Sequence, residues 1–479
     1  MENGKNNKVK QLKEQLFLKR ENTGKILSEA ERGKADSFCG EYKKFLNHAK
    51  TEREAVEEAV SLYTEAGFTE FEAGKKYKAG DKIYTVNRNK SVIAAIIGKE
   101  GLENGVSLIA AHIDSPRLDL KQNPLYEEAE MAYFKTHYYG GIKKYQWTAV
   151  PLALHGVVIK SDLSSVKVSI GEDESDPVFS VTDLLPHLAE EQYKRPANQI
   201  IKGEELNILI GSRPFKEDNE AGEDTVPGGK DLVKLNIIKL LNDKYGITET
   251  DFISAELEAV PAFKARDIGF DRSFVGSYGQ DDRVCAYTAM KALLDFKSTP
   301  KKTAVVVLTD KEETGSDGNT GLKSAYLKHF LKDMAKAQNV PLSTLFKNSK
   351  CLSADVNVGF DPTFPDVTEK NNAAFMNYGV VMTKFTGSRG KAGTSDASAE
   401  FAAEIRRLLD DNKIIWQTGE LGKVDLGGGG TVAMYIANLN IDTIDVGVPV
   451  LSMHSPLEIT AKNDVYMAYK AFGAFIAKE

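Results

Sequence analysis

Strand-length apolar runs that break off on polar residues, alternating with amphipathic stretches, constrain this chain more than any other feature. SVIAAII (91–97), LIAAHIDSP (108–116), TAVVVLTD (303–310), CLSADV (351–356) and TIDVGVPVLSMHSP (443–456) read as strands. Their near-continuous apolar character suits strands covered on both sides rather than strands with one wet face. Between the later ones, DDRVCAYTAMKALLDF, GLKSAYLKHFLKDMAKA, SAEFAAEIRRLLDDN and NDVYMAYKAFGAFIAKE repeat apolar residues at helical steps. The N-terminal stretch up to Gly67 also reads as helix, followed by a strand pair turning at Asn87-Arg88-Asn89. Strands alternating with helices predict an α/β sheet with helices on both faces.

At 479 residues the chain is too long for one compact core. The texture changes between Arg117 and Ala262, where strand-like segments (AVPLALHGVVI, KVSIG, LNILIGS) are broken by acidic loops, and Arg213 to Lys230 reads as a mobile exposed loop. The expected organisation is one α/β domain formed by residues 1–116 and 263–479, interrupted by a β-rich unit at 117–262. A net charge of −7 argues against binding nucleic acid by bulk phosphate neutralisation. No apolar run approaches the roughly 20 residues that span a bilayer, so no membrane partner is expected. Cys39, Cys285 and Cys351 form no CxxC pair, and MENGKNNKVKQLKEQLFLKREN lacks a signal peptide's apolar core. A cytoplasmic location is therefore expected.

Several of these strands end on residue types a metal needs, the place where α/β sheets put their sites. His112 and Asp114, two apart at a strand end, can form a carboxylate–histidine–metal relay. Asp281 and Asp282 precede a helix, where a carboxylate can bridge two cations or simply complement the helix dipole. Glu312 and Glu313 follow a buried β-branched strand. Adjacent carboxylates there are costly unless a cation neutralises them, and one of the pair could ligate while the other serves as base. Asp355 and His454 end two further strands. Imidazoles and carboxylates without thiolates suit zinc, manganese or cobalt, and five ligands are too many for one catalytic zinc but right for two metals.

AAHIDSPRLDLK, GQDDRVCAYTA, TDKEETGS, SADVNVGFDP and SMHSP, in that order, resemble the metal-site motifs of the aspartyl aminopeptidase and vacuolar aminopeptidase I family. The resemblance covers nearly the whole chain. It implies a mixed-sheet metallopeptidase domain interrupted by an inserted β-rich dimerisation domain, with dimers assembling into a dodecamer. It assigns His112 to one metal and His454 to the other, Asp281 as the bridge, and Glu313 and Asp355 as the remaining ligands. Asp114 would orient His112, and Glu312 would be the general base. Two divalent ions per subunit, with Zn2+ as the default and Mn2+ or Co2+ as alternatives, would act on peptides with a free N-terminus.

Two further matches are looser. LLPHLAEEQ is similar to a family stretch whose last His reaches a neighbouring active site, but Glu191 stands at that position here, leaving His187 as the nearby substitute. VVMTKFTG is similar to a segment carrying a basic residue near the substrate pocket, which points to Lys384. Lys384 would favour an acidic N-terminal residue and Glu191 a basic one, so the preference stays open. Two rival readings also stand: a dinuclear carboxypeptidase or deacylase, and an inactive assembly protein with a degenerate site.

Overall fold

A computed structural model of the protein describes residues 2–218 and 224–478. Its largest element is a nine-stranded mixed sheet in the spatial order Thr69–Glu70, Lys82–Asn87, Ser91–Ile96, Thr303–Thr309, Val106–His112, Lys350–Ser353, Asp442–Gly447, Val380–Thr383, Trp416–Thr418. The four strands from Thr303–Thr309 to Asp442–Gly447 run parallel. Ser91–Ile96 and Val380–Thr383 flank them antiparallel. Ser91–Ile96 and Thr303–Thr309 are buried at every position, as continuous apolar runs require when helices cover both faces.

One face packs Val306, Ile109 and Leu352 against the helices Glu29–His48, Glu52–Glu65, Gln280–Leu294, Ala399–Asp411 and Lys462–Ile476. The other packs Val305, Leu108 and Cys351 against Tyr326–Ala337 and Leu342–Asn348. Each fully buried Val, Leu or Ile contributes about 1.5–3 kcal/mol by leaving water. The N-terminal helical stretch is segmented: Ser28 with Glu31 and Thr51 with Glu54 form capping boxes that start two separate helices.

A second sheet lies wholly within residues 117–261. Its seven strands are ordered Ser165–Ile170, Leu152–Ile159, Ala255–Pro261, Arg117–Glu128, Met131–Tyr139, Ile208–Gly211, Ser180–Val181, and every pairing is antiparallel. Helix Leu232–Tyr245 lies against it, and Gly246 in left-handed conformation ends that helix. Within the 213–230 stretch, Glu217–Asp218 pairs antiparallel with Asp224–Thr225, and residues 219–223 lie outside the described residues.

A third, five-stranded sheet is absent from the sequence reading: Arg266–Ile268, Phe274–Ser277, Glu458–Ala461, Pro449–Leu451, Asn357–Val358. It splits the stretch read as one final strand, because Asp442–Gly447 belongs to the nine-stranded sheet and Pro449–Leu451 to this one. Gly447 stands at the switch, where any Cβ would fall 1.7 Å from the Asp355 carbonyl oxygen. Only glycine permits that approach, which presses the chain around Asp355 against the last parallel strand.

Candidate metal centre

Three neighbouring parallel strands aim their C-terminal ends at one place. Thr303–Thr309 leads into a short turn at Glu312–Thr314, Val106–His112 ends on His112, and Lys350–Ser353 is followed by Asp355. The five-stranded sheet supplies the rest: Asp281 follows Phe274–Ser277, and His454 lies between Pro449–Leu451 and Glu458–Ala461. His112, Asp281 and Asp355 present ligand atoms that all lie within 4.8 Å of one another, as do Asp281, Glu313 and His454. Asp281 belongs to both groups. Its Oδ1 is 3.1 Å from His112 Nε2 and its Oδ2 is 3.1 Å from His454 Nε2. His454 Nε2 is also 3.3 Å from Glu313 Oε1.

The ring orientations follow from the hydrogen bonds. His112 Nδ1 lies 3.0 Å from the Asp114 carbonyl oxygen and 3.3 Å from Asp114 Oδ1. Both can only accept, so Nδ1 carries a proton and Nε2 is the nitrogen turned toward the centre. Asp114 is fully buried. Besides His112 it accepts the backbone N–H groups of Glu312 and Glu313, each at 3.1 Å, and the Tyr139 hydroxyl at 2.7 Å. A carboxylate remote in sequence thus caps the Glu312–Thr314 turn and sets both acids on it.

The sequence reading missed Glu458. Its two oxygens accept the N–H of His454 at 2.7 Å and the N–H of Asp281 at 3.0 Å, so one buried carboxylate holds two site segments together. The available signal was a lone acid at the head of the apolar strand Glu458–Ala461. Asp282 is buried and takes the His112 N–H at 3.3 Å. Its role is backbone anchoring, and it belongs to neither ligand group.

Charge is concentrated here far beyond what the chain itself compensates. Burial, reinforced by the Asp281 charge, pushes the Glu313 carboxyl well above the usual range. Burial and Asp282 do the same to Asp355. Burial would also raise Asp281, but the two imidazoles hydrogen-bonded to it hold it well below. For His454 burial disfavours the cation, yet Asp281 and Glu313 outweigh it and carry the imidazole up to about 10. The same carboxylates therefore favour a second proton on each imidazole, at Nε2, in competition with any cation there.

Glu313 Oε1 is buried without any hydrogen-bond donor, a costly state for a carboxylate. Ligands held roughly 2.0–2.2 Å from a tetrahedral zinc stand about 3.3 Å apart, close to the spacings found between Asp281 and both imidazoles. The donor set fits divalent cations at two adjoining positions sharing Asp281. Glu312 is the more open of the two acids, with its side chain 18% exposed against 4% for Glu313. Burial, opposed by His112 and reinforced by Asp114 and Asp281, pushes its carboxyl up to about 7.

Within the chain neither Lys384 nor His187 contacts the ligand residues of this cluster, and the expected reach of His187 into a neighbouring subunit concerns an assembly rather than this single chain. The Lys384 ammonium sits 3.5 Å from Asp396, which Lys391 also contacts at 2.8 Å. His187 is exposed on the short turn Pro186–Leu188 of the antiparallel region, and Glu191 accepts from Lys194 at 2.7 Å.

Residues 45–476 match the family model described as aminopeptidase I zinc metalloprotease (M18). A probable M18 family aminopeptidase 1 of Clostridium acetobutylicum is 50% identical over 443 residues, covering 91% of this chain and 93% of that protein. The crystal structure of an M18 aminopeptidase from Thermotoga maritima superposes with a TM-score of 0.90 at 43% identity, covering 97% of this chain and all of that one. Aminopeptidase I from Clostridium acetobutylicum superposes at 0.89 with 45% identity, covering 96% of this chain and all of that one. Metal-ligand chemistry at the strand ends, a mixed α/β fold and likeness along almost the whole length agree: the chain belongs to the M18 family of zinc metalloaminopeptidases.

Proposed function

We propose that this metalloaminopeptidase removes N-terminal residues at a centre for two divalent cations, zinc by default, with Glu312 as general base. The observation carrying this reading is the position of Asp281 between two imidazoles, each turning its Nε2 toward it, with Asp355 completing one ligand group and Glu313 the other. Bound cations at such a centre supply Lewis acidity to the scissile carbonyl and bring the pKa of a water toward neutrality. Glu312 accepts the proton of the attacking water and returns it to the leaving amine. Burial favours the protonated form of its carboxyl, which supports holding the proton between the two transfers. Asp114 keeps Glu312 in place by accepting its N–H, and Glu458 keeps Asp281 and His454 in register.

Around Pro186 the antiparallel region exposes Leu184, Leu185, Leu188 and Tyr193. Exposed apolar residues on neighbouring positions favour burial in a contact between subunits, which supports a dimer-based assembly, proposed here to be a dodecamer. Sedimentation as a monomer would exclude it. The catalytic reading is tested by Glu312→Gln, which keeps size and shape but cannot take up the proton. Turnover should fall by about 10²–10⁴-fold while metal content stays at the wild-type level. Near-full activity in that variant would refute the assignment of the base.

A further inference from the structure

The outer partners of the two site imidazoles, one directly and one through Asp114, lead to three consecutive residues where a strand of the antiparallel sheet ends. Tyr139 ends the strand Met131–Tyr139, and its hydroxyl donates to Asp114 Oδ2 at 2.7 Å, while His112 Nδ1 faces both the Asp114 carbonyl at 3.0 Å and its Oδ1 at 3.3 Å. Two residues on, the Gly141 carbonyl lies 2.8 Å from His454 Nδ1. A carbonyl only accepts, so His454 also carries its proton on Nδ1 and turns Nε2 toward Asp281 and Glu313. Gly140, between them, has φ +74°, and a Cβ there would lie 3.3 Å from Glu313 Oε2 and 3.2 Å from the Pro116 ring. Both its conformation and its proximity to Glu313 call for glycine.

We infer that Tyr139-Gly140-Gly141 is a positioning segment through which the antiparallel sheet fixes the tautomer of both imidazoles and holds the site open for its two cations. The inference rests on the two-cation reading given above. The segment is itself braced from its own sheet. The Arg117 guanidinium lies 4.0 Å from the Tyr139 ring centroid and is bonded to Asp119 at 2.8 Å and to Glu258 at 3.1 Å. The brace holds the ring, and the hydroxyl alone reaches Asp114. With that donor absent, a fully buried carboxylate loses one of its four partners and its hold on His112 loosens.

Tyr139→Phe removes the hydroxyl and leaves the ring and its stacking in place. Tyr138→Phe, at the neighbouring half-exposed tyrosine, is the control. Zinc affinity of the metal-stripped full chain is measured by competition with a chromophoric chelator, alongside the thermal unfolding midpoint of the stripped protein. Y139F should bind zinc about 10–100-fold more weakly with at most a small fall in the stripped midpoint, and Y138F should alter neither. Gly140→Ala keeps every hydrogen-bonding group and presses on Glu313 instead, so it should weaken zinc by the same order through a separate route. Wild-type affinity in both variants overturns the inference, as does a loss that comes with a matching fall in the stripped midpoint. A wild-type chain that binds no divalent cation overturns the two-cation reading and this inference with it; two ions bound equally tightly by wild type, Y139F and G140A overturn only the inference.

Discussion

The nine-stranded and seven-stranded sheets solve different problems. Thr303–Thr309 is buried along its whole length, while Met131–Tyr139 and Ser165–Ile170 alternate between buried and exposed positions. Parallel strands covered by helices on both faces leave only their ends free for chemistry, and there the ligands gather. Antiparallel strands joined by hairpins keep one face wet, and that region exposes Leu188 and Leu240 among other apolar side chains. One sheet holds charge at its strand ends and the other offers a surface, and the turn after Tyr139 is one of the places where the two regions meet. The contrast also separates two classes of residue: those whose loss removes a ligand and those whose loss only loosens one.

The strongest way to break this contrast is Asp281→Ala. It deletes the carboxylate shared by both imidazoles, so both cation positions should empty together. Activity should then fall by more than the roughly 10–100-fold typical of losing an outer partner. Retention of one tightly bound ion per chain, seen by elemental analysis, would show that the two positions are independent. Next in size is the pH response of zinc binding. Burial disfavours both imidazolium forms, but the neighbouring carboxylates outweigh it in the metal-free protein and raise both pKa values, that of His454 to about 10. Each Nε2 must therefore give up a proton to bind a cation, and affinity must fall as pH falls. Between about pH 8 and 6 the fall should reach up to roughly tenfold per imidazole per unit. A flat profile in a chelator-competition titration would contradict the protonation described here.

Smaller effects separate the sheets by stability alone. Ile109 is fully buried in the parallel sheet, and Ile109→Ala should cost about 2–5 kcal/mol in denaturant unfolding. Lys167, half-exposed on an edge strand of the antiparallel sheet, pairs with an exposed Glu57, and Lys167→Ala should stay within about 0.5 kcal/mol. Similar costs for the two would erase the distinction.

The parallel sheet and its ligands were legible because both leave local marks: unbroken β-branched runs, then His, Asp or Glu at their ends. His112, Asp355 and the Glu312-Glu313 pair stood at such junctions, whereas the choice of Asp281 over Asp282 and of Glu313 over Glu312 came only from the family resemblance; the structure gathers His112, Asp281, Glu313, Asp355 and His454. The five-stranded sheet was not legible, since strands of two to four residues such as Asn357–Val358 carry no periodicity. The switch at Gly447 was hidden for a related reason, because the chain changes sheets without a break in its apolar run. Glu458 and Tyr139 escaped because each acts on residues set by tertiary packing. Tyr139 reaches across from the other sheet to Asp114, a contact between residues 25 apart that no spacing rule anticipates.

The central claim is that hydrolysis of N-terminal residues depends on cations held by this shared centre. The most direct test strips the protein with a chelator and assays it on one peptide with a free N-terminus and on its acetylated twin, before and after zinc is restored. The account predicts no hydrolysis of either peptide by the stripped protein, and recovery on the free peptide alone as zinc approaches two equivalents per chain. Full-rate hydrolysis without metal, or equal cleavage of the acetylated peptide, would contradict it.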